Sequence, residues 1–308
     1  MNILISSVSK KIPLIHALRK SAPSATLIGT DRNPAVIGRY FVDRFEKFSG
    51  LENEKSEQFI KECQKNSIQA VVPTRNGELS FFAHHSDHFT NAGIHCMVSN
   101  EHGIHTCLDK LLFYKKLAPD FPVITSSSAL DFKASSYVVK ERQGAGSLGI
   151  GLNLSELEAL NFAKQLKEPL FQPFIAGQEY SIDLYINRAG KVMGCIARKR
   201  NLVVDGESQI TQSVNYPKLE ELCSGMAQKL QLYGHVVFQA LVDPQGHTHV
   251  IECNPRFGGA STLSLAMGLR SFEWFLAEVE GKDLKQLPFQ RSSRELTQVR
   301  YPADYIFP

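Results

Sequence analysis

Gly234-His235-Val236-Val237-Phe238-Gln239-Ala240-Leu241-Val242-Asp243-Pro244-Gln245-Gly246-His247-Thr248-His249-Val250-Ile251-Glu252-Cys253-Asn254-Pro255-Arg256 is the stretch whose reading decides the fold. Asp-Pro-x-Gly is a favoured type I turn, so the apolar runs on either side form a hairpin. With Pro244 and Gln245 as the loop, Asp243 pairs with Gly246 and Gln239 lies opposite Val250. Directly paired residues share a face, and faces alternate along a strand. Gln239, Val250, Glu252 and Asn254 are then expected on one side, with Glu252 diagonal to Gln239. Three oxygen donors on one face suit Mg2+ carrying nucleotide phosphates. A solvated strand face also collects polar residues. It does not need carboxylate, amide and guanidinium packed between Glu252 and Arg256.

Upstream, Tyr137-Val138-Val139-Lys140 reads as a buried strand ending in a lysine. It opens into Glu141-Arg142-Gln143-Gly144-Ala145-Gly146-Ser147-Leu148-Gly149-Ile150. Glycines let backbone N–H groups approach phosphate oxygens, and a neighbouring lysine adds charge. No Gly-Lys-Ser/Thr closes the loop, so it is not a Walker loop, and alone it serves equally as a flexible hairpin. A helix over about 155–167 follows, with Ser155 as its cap and acidic residues in its first turn. Then an apolar strand through Phe171, Gln172 and Pro173 meets a Gly177 turn. The next strand carries Glu179 and Asp183. Ala197-Arg198-Lys199-Arg200 reads either as an exposed basic strand end or as a phosphate or carboxylate binder.

The first hundred residues alternate strand and helix. Asn2–Ser6, Ala25–Gly29 and Gln69–Pro73 are expected strands. Ser9 is placed to cap a helix through Ile12, Ile15 and Leu18, and a charged helix is expected from about Glu54 to Lys65. Such alternation implies parallel βαβ units. The turn after the first strand, Ser6-Ser7-Val8-Ser9-Lys10, contains no glycine, which argues against nicotinamide binding. His84, His85 and His88 fall near each other on an expected helix. His84 and His88 at i,i+4 would suit a metal, but a polar helix face is the plainer reading.

The 308 residues carry 34 Lys+Arg against 31 Asp+Glu, a net +3 that implies no nucleic-acid partner. At roughly 150 residues per domain, two domains are expected. No run approaches a membrane span. The N-terminus lacks a signal-peptide pattern, and the six cysteines form no C-x-x-C pair. Their scatter argues against a zinc site and their sparseness suits a reducing compartment, so a cytoplasmic α/β enzyme is the expectation.

These pieces, in this order, resemble the ATP-grasp superfamily, and most closely its carbamoyl-phosphate-synthetase-like branch. The resemblance implies an α/β protein: a Rossmann-like parallel pre-ATP-grasp domain over 1–105, then an α+β grasp module over 106–308. Within that module the lid lobe is about 122–176 and the C-terminal lobe about 177–308. Thr30-Asp31-Arg32-Asn33-Pro34 looks like the branch's second-strand turn. By resemblance, Lys110 and Lys140 contact phosphate, and Gly144, Gly146, Ser147 and Gly149 close over the β- and γ-phosphates. Gln172 takes the hinge position, usually Glu, and Pro173, Phe174 and Ile175 supply the backbone that binds adenine. Glu179 is implied as the ribose carboxylate, and Gln239, Glu252 and Asn254 as ligands of one or two Mg2+, with Mn2+ an acceptable substitute. Arg256, Arg198 and Lys140 are the implied catalytic cations. ATP and Mg2+ are thus the implied cofactors, and small-molecule carboxylate and amine substrates the implied partners, with a homo-oligomer admissible. The implied reaction joins the two through an acyl phosphate. The alternatives are a kinase-like or carboxyphosphate-forming enzyme of the same superfamily and a non-catalytic nucleotide-binding module. Two departures stand out: Gln at the hinge, and a neutral first metal ligand in Gln239. With one grasp module and no glutaminase, the chain is too short for the synthetase itself.

Overall fold

Ile3, Leu4 and Ile5 are fully buried, yet they belong to two different cores. Ile3 and Ile5 pack with Trp274 and Phe275, and Leu4 packs with Phe59 and Phe82 on the other side. A strand covered on both faces reads as a continuous apolar run, as parallel sheets require. The computed structural model describes residues 1–48, 55–144 and 149–307. In its N-terminal part β1 (Asn2–Ile5), α1 (Ile12–Ser21), β2 (Thr26–Gly29), β3 (Arg44–Phe45), α2 (Ser56–Lys65) and β4 (Ile68–Val72) come first. α3 (Asn76–His84), α4 (Ser86–Asn91), β5 (His95–Cys96) and α5 (Glu101–Leu108) complete it. The parallel sheet runs β3-β2-β1-β4-β5.

Two local expectations fail here. Ser9 does not cap α1, which starts at Ile12 with Lys11 as its N-cap and no side-chain cap bond. Ser9 instead sits at φ 27° and donates its N–H to Asp31 Oδ2 at 3.0 Å. His84 and His88 do not share a helix, because the chain breaks at His85 between α3 and α4. His84 Nδ1 meets Glu101 Oε1 at 2.9 Å, while His88 turns to Ser56 Oγ. The expected start of α2 at Glu54 lies outside the described residues.

α6 (Lys110–Leu117) leads into a three-stranded antiparallel sheet, β7-β6-β8. It comprises β6 (Tyr137–Glu141), β7 (Gly151–Leu154) and β8 (Pro169–Pro173), with α7 (Glu156–Ala163) packed on Tyr137, Val139 and Phe171. Ser155 caps α7 as expected, in a reciprocal box with Glu158. α7 ends at Ala163, short of the expected Lys167.

The remaining sheet is six-stranded, ordered β13-β12-β9-β10-β11-β14. Its strands are β9 (Gln178–Ile186), β10 (Val192–Val204), β11 (Glu207–Val214), β12 (Gly234–Val242), β13 (Thr248–Asn254) and β14 (Thr297–Val299). α8 (Pro217–Lys229), α9 (Ser261–Ala266) and α10 (Ser271–Val279) flank it. Period-two alternation divides its residues. Ile182, Leu184, Ala197, Phe238 and Ala240 pack with Leu219, Cys223 and Met226 of α8. Gln239 pairs with Ser181 and Ser181 with Arg198, so these lie on the opposite, open face.

The hairpin register departs from its expectation twice. Its loop is three residues, not two: Gly246 donates to Asp243 O, Asp243 N–H donates to His247 O, and Gly246 adopts φ 87°. This is a type I turn closed by a left-handed residue, for which glycine carries no Cβ penalty. Ala240 therefore pairs with Val250, and an unbroken ladder would turn Glu252 away from Gln239. A bulge at Ile251 restores the phase, so Gln239 pairs directly with Glu252 and Val237 with Asn254. The three oxygen donors do share a face, as expected. Val250 does not: it is buried in the core beside Phe238.

Candidate active site

Between the three-stranded and six-stranded sheets lies a cleft of about 720 Å3. Lys110, Lys140, Gly144, Gln172, Pro173, Phe174, Ile175 and Glu179 line it from one side. Gln239, Glu252, Asn254, Arg198 and Arg256 line its floor. Gly149 is described, at φ 65°, whereas Gly146 and Ser147 lie outside the described residues.

Lys110 and Lys140 are brought together by a buried carboxylate. Asp109 caps α6 through Leu111 and Leu112 N–H, and it grips the Arg142 guanidinium with both oxygens. The end of β6 is thereby clamped to the start of α6. Lys110 Nζ donates to Gly144 O at 2.9 Å and stands 4.0 Å from Glu252 Oε2. Burial lowers the pKa of Lys140 to about 8, with Glu252 opposing and Lys110 adding to the fall. Glu252 is half-buried, and although its partial burial works the other way, Lys110 and Lys140 hold its pKa below the ordinary value.

At the hinge, buried Gln172 donates Nε2 to Ser126 Oγ at 2.8 Å. Pro173 pairs with Tyr137, and Phe174 N–H donates to Ser136 O. The N–H of Ile175 has no protein acceptor among the described residues. Gly177 is needed beyond them, since an added Cβ would lie 2.5 Å from Val242 O. Glu179 Oε1 is held by Arg200, whose other nitrogens reach Ser208 Oγ and Gly206 O.

The floor is a fixed network. Asp183 Oδ2 accepts from Arg198 Nε at 2.6 Å, and Asp183 Oδ1 lies 3.1 Å from His235 Nε2. Asp183 is buried, yet Arg198 holds its carboxyl well below the ordinary range. Arg198 Nη1 is buried with no hydrogen-bond partner among the described residues. His235 stacks on Phe257 at 3.9 Å, next to Arg256. Arg256 donates to Asn76 Oδ1, Phe257 O and Asn254 Oδ1, and to no carboxylate among the described residues.

The donor set fits a hard divalent cation. One carboxylate and two amides, completed by phosphate oxygens, are oxygen ligands of the kind Mg2+ takes. Asn254 Nδ2 donates to Glu252 Oε1 at 2.9 Å, while its Oδ1 accepts from Asn76 Nδ2 at 3.2 Å and from Arg256 Nη2 at 3.3 Å. Among the described residues no three His, Cys, Asp or Glu side chains cluster.

Sequence reasoning missed Asn76, Lys11 and the clamping role of Asp109. Asp109 was findable, as an acidic residue just before an apolar helical run. Asn76 and Lys11 had no signal, being brought to the cleft by the tertiary fold. The serines of the first turn do have a use. Ser6 and Ser7 hydroxyls donate to Glu78 at 2.6 and 2.7 Å, which pins the start of α3 where Asn76 sits.

A family model described as the ATP-grasp domain matches residues 107–260, and one described as a PylC-like N-terminal domain matches residues 3–97. No curated protein matches the sequence. Biotin carboxylase from Campylobacter jejuni superposes with a TM-score of 0.74 at 15% identity, covering 94% of this chain and 73% of that one. L-amino acid ligase from Bacillus licheniformis gives 0.73 at 15%, covering 99% and 80%. N5-carboxyaminoimidazole synthetase from Staphylococcus aureus, complexed with ADP, gives 0.71 at 15%, covering 92% and 78%. Identity this low makes each a likeness of fold.

Proposed function

The chain belongs to the ATP-grasp family, and from that premise we propose that it joins a small-molecule carboxylate to an amine, using ATP and Mg2+ through an acyl phosphate. The observation that carries the proposal is the charge arrangement of one cleft. Lys110 and Lys140 flank Glu252, Arg256 lines the same space with no hydrogen bond to a carboxylate among the described residues, and Arg198 lies in its floor paired with Asp183.

In this reading Lys110 and Lys140 bind the triphosphate, and Ile175 N–H and the hinge carbonyls bind adenine. Glu179 keeps Oε2 for a ribose hydroxyl, Oε1 being taken by Arg200. Mg2+, held by Glu252, Asn254 and Gln239, supplies charge neutralisation at the phosphates. Arg198 and Arg256 hold the reacting carboxylate, whose oxygen bonds to the γ-phosphorus as the bond to the β–γ bridging oxygen breaks and ADP leaves, the acyl phosphate's charge staying compensated. A neutral amine then attacks the acyl carbon, phosphate leaves with the acyl C–O bond electrons, and the amine's proton passes to phosphate or solvent. The protein contributes position and electrostatics, and Asp183 fixes Arg198 for that task. A cytoplasmic setting remains the expectation; no helix among the described residues is long and apolar enough to cross a membrane.

The test is ADP release with panels of carboxylates, with and without amines. Release that needs a carboxylate and is completed by an amine supports ligation. Release indifferent to amines, with a stable phosphorylated acid, supports a kinase-like enzyme instead.

A further inference from the structure

A diagonal row of three polar side chains crosses the site face of the six-stranded sheet. Asp183 on β9 pairs with Ile196 on β10 and with Val237 on β12, so Arg198 and His235, each two residues along, are its diagonal partners. All three side chains are buried. Against its burial, Arg198 holds Asp183 ionised, and an ionised carboxylate only accepts. His235 Nε2, 3.1 Å from Asp183 Oδ1, therefore carries a ring proton, while Nδ1 lies 2.9 Å from the Ser271 hydroxyl. Burial lowers the His235 pKa below the ordinary histidine value, with Asp183 opposing and Arg198 and Arg256 adding to the fall. The ring is thus neutral, and Nδ1 accepts from Ser271.

The same imidazole also holds the loop that carries Arg256. Its face lies on the Phe257 ring at 3.9 Å, and Phe257 stacks in turn on Phe272 at 4.6 Å. His235 Nε2 lies 3.2 Å from Ser261 Oγ, which accepts the Gly258 N–H at 2.8 Å. Phe257 O accepts from Arg256 Nη1 at 2.7 Å. One side chain thus reaches Arg198 through Asp183 and Arg256 through Phe257. Phenylalanine would keep the ring face without the donor, and glutamine the donor without the face. We propose that His235 is a positioning residue that holds Arg198 and Arg256 in one fixed relation, so that both guanidinium groups meet the reacting carboxylate together. The proposal rests on the ligase reading, in which these two arginines hold that carboxylate.

The experiment is NMR on the full chain carrying isotope-labelled arginine and histidine, as wild type, His235→Phe and His235→Gln. Arg198→Lys and Arg256→Lys identify the Nε–H signals of the two arginines by their loss. His235→Phe should displace or broaden the Arg198 signal and spare that of Arg256. His235→Gln should do the reverse. Both variants should bind a non-hydrolysable ATP analogue with Mg2+ as wild type does, which shows that they are folded. The KM of the carboxylate that best drives ADP release should rise about tenfold in each. A core-filling role would lower the melting point and leave the arginine signals and that KM in place, and this result overturns the proposal. In wild type the His235 ring proton should sit on Nε2. Finding it on Nδ1 overturns the proposal as well, and that measurement needs no variant to fold. If no carboxylate drives ADP release, the ligase reading falls, while the arginine signals still judge whether His235 fixes both groups.

Discussion

Asn76 Oδ1 accepts a hydrogen bond from Arg256 Nε at 2.5 Å, while Asn76 Nδ2 donates to Asn254 Oδ1 at 3.2 Å. One amide, separated in sequence from its partners by 180 and 178 positions, orients both the cation and the oxygen ligand at the end of the hairpin. The N-terminal part is therefore a wall of the site as well as a packing partner.

Asn76→Ala should lower turnover by about tenfold while leaving nucleotide affinity near wild type, as expected for lost orientation of a group that acts during the reaction. Steady-state kinetics with a calorimetric nucleotide Kd checks this. Equal losses in both would make Asn76 a plain structural support.

Lys140 sets a pH dependence. Its pKa is near 8 in the free protein, and bound phosphates favour the ammonium. Binding therefore takes up a proton above that pH, and affinity is full below about 8 and falls as pH rises through it. Lys140→Met should weaken binding by about 1–3 kcal/mol at neutral pH and flatten the profile. Titrations across the alkaline range in two buffers of different ionisation heat measure both effects.

Asp109 is buried, and it serves two helix N–H groups and Arg142 at once. Asp109→Ala removes a cap and breaks a clamp, so a stability loss of about 2–4 kcal/mol is expected in denaturant melts. Arg142 holds the Asp109 pKa below the ordinary value against burial. That contribution is present above the unfolded carboxyl pKa and is lost as pH falls through the folded one. The variant's melting point should accordingly vary less than wild type's on acidification.

The fold was legible where a pattern was local. β1, β6 and the hairpin announced themselves by apolar runs and turn residues, and Ser155 by its partner three residues on. The common face of Gln239, Glu252 and Asn254 was also anticipated, but through a register that the structure corrects. The loop is one residue longer than expected, and the Ile251 bulge cancels the resulting flip. Such bulges carry no sequence mark here, since Ile251 is as apolar as its neighbours. Of the residues expected around a nucleotide, Lys110, Lys140, Gly144, Gln172, Pro173, Phe174, Ile175 and Glu179 line one cleft. Lys11 and Asn76 could not be foreseen, because the packing of β1 and α1 against α9 and α10 carries that wall to the site.

The central claim is that Glu252 holds the metal on which catalysis depends, as the one carboxylate on that face of the hairpin. Glu252→Gln keeps shape and register and removes the charge that Lys110 and Lys140 face. The decisive measurement is ATP turnover of this variant across a Mg2+ titration, with a metal-free melt on the same preparation to show that it is folded. Turnover should drop by about a hundredfold at low Mg2+ in a protein that still melts cooperatively. Wild-type turnover by Glu252→Gln at low Mg2+ would contradict the account.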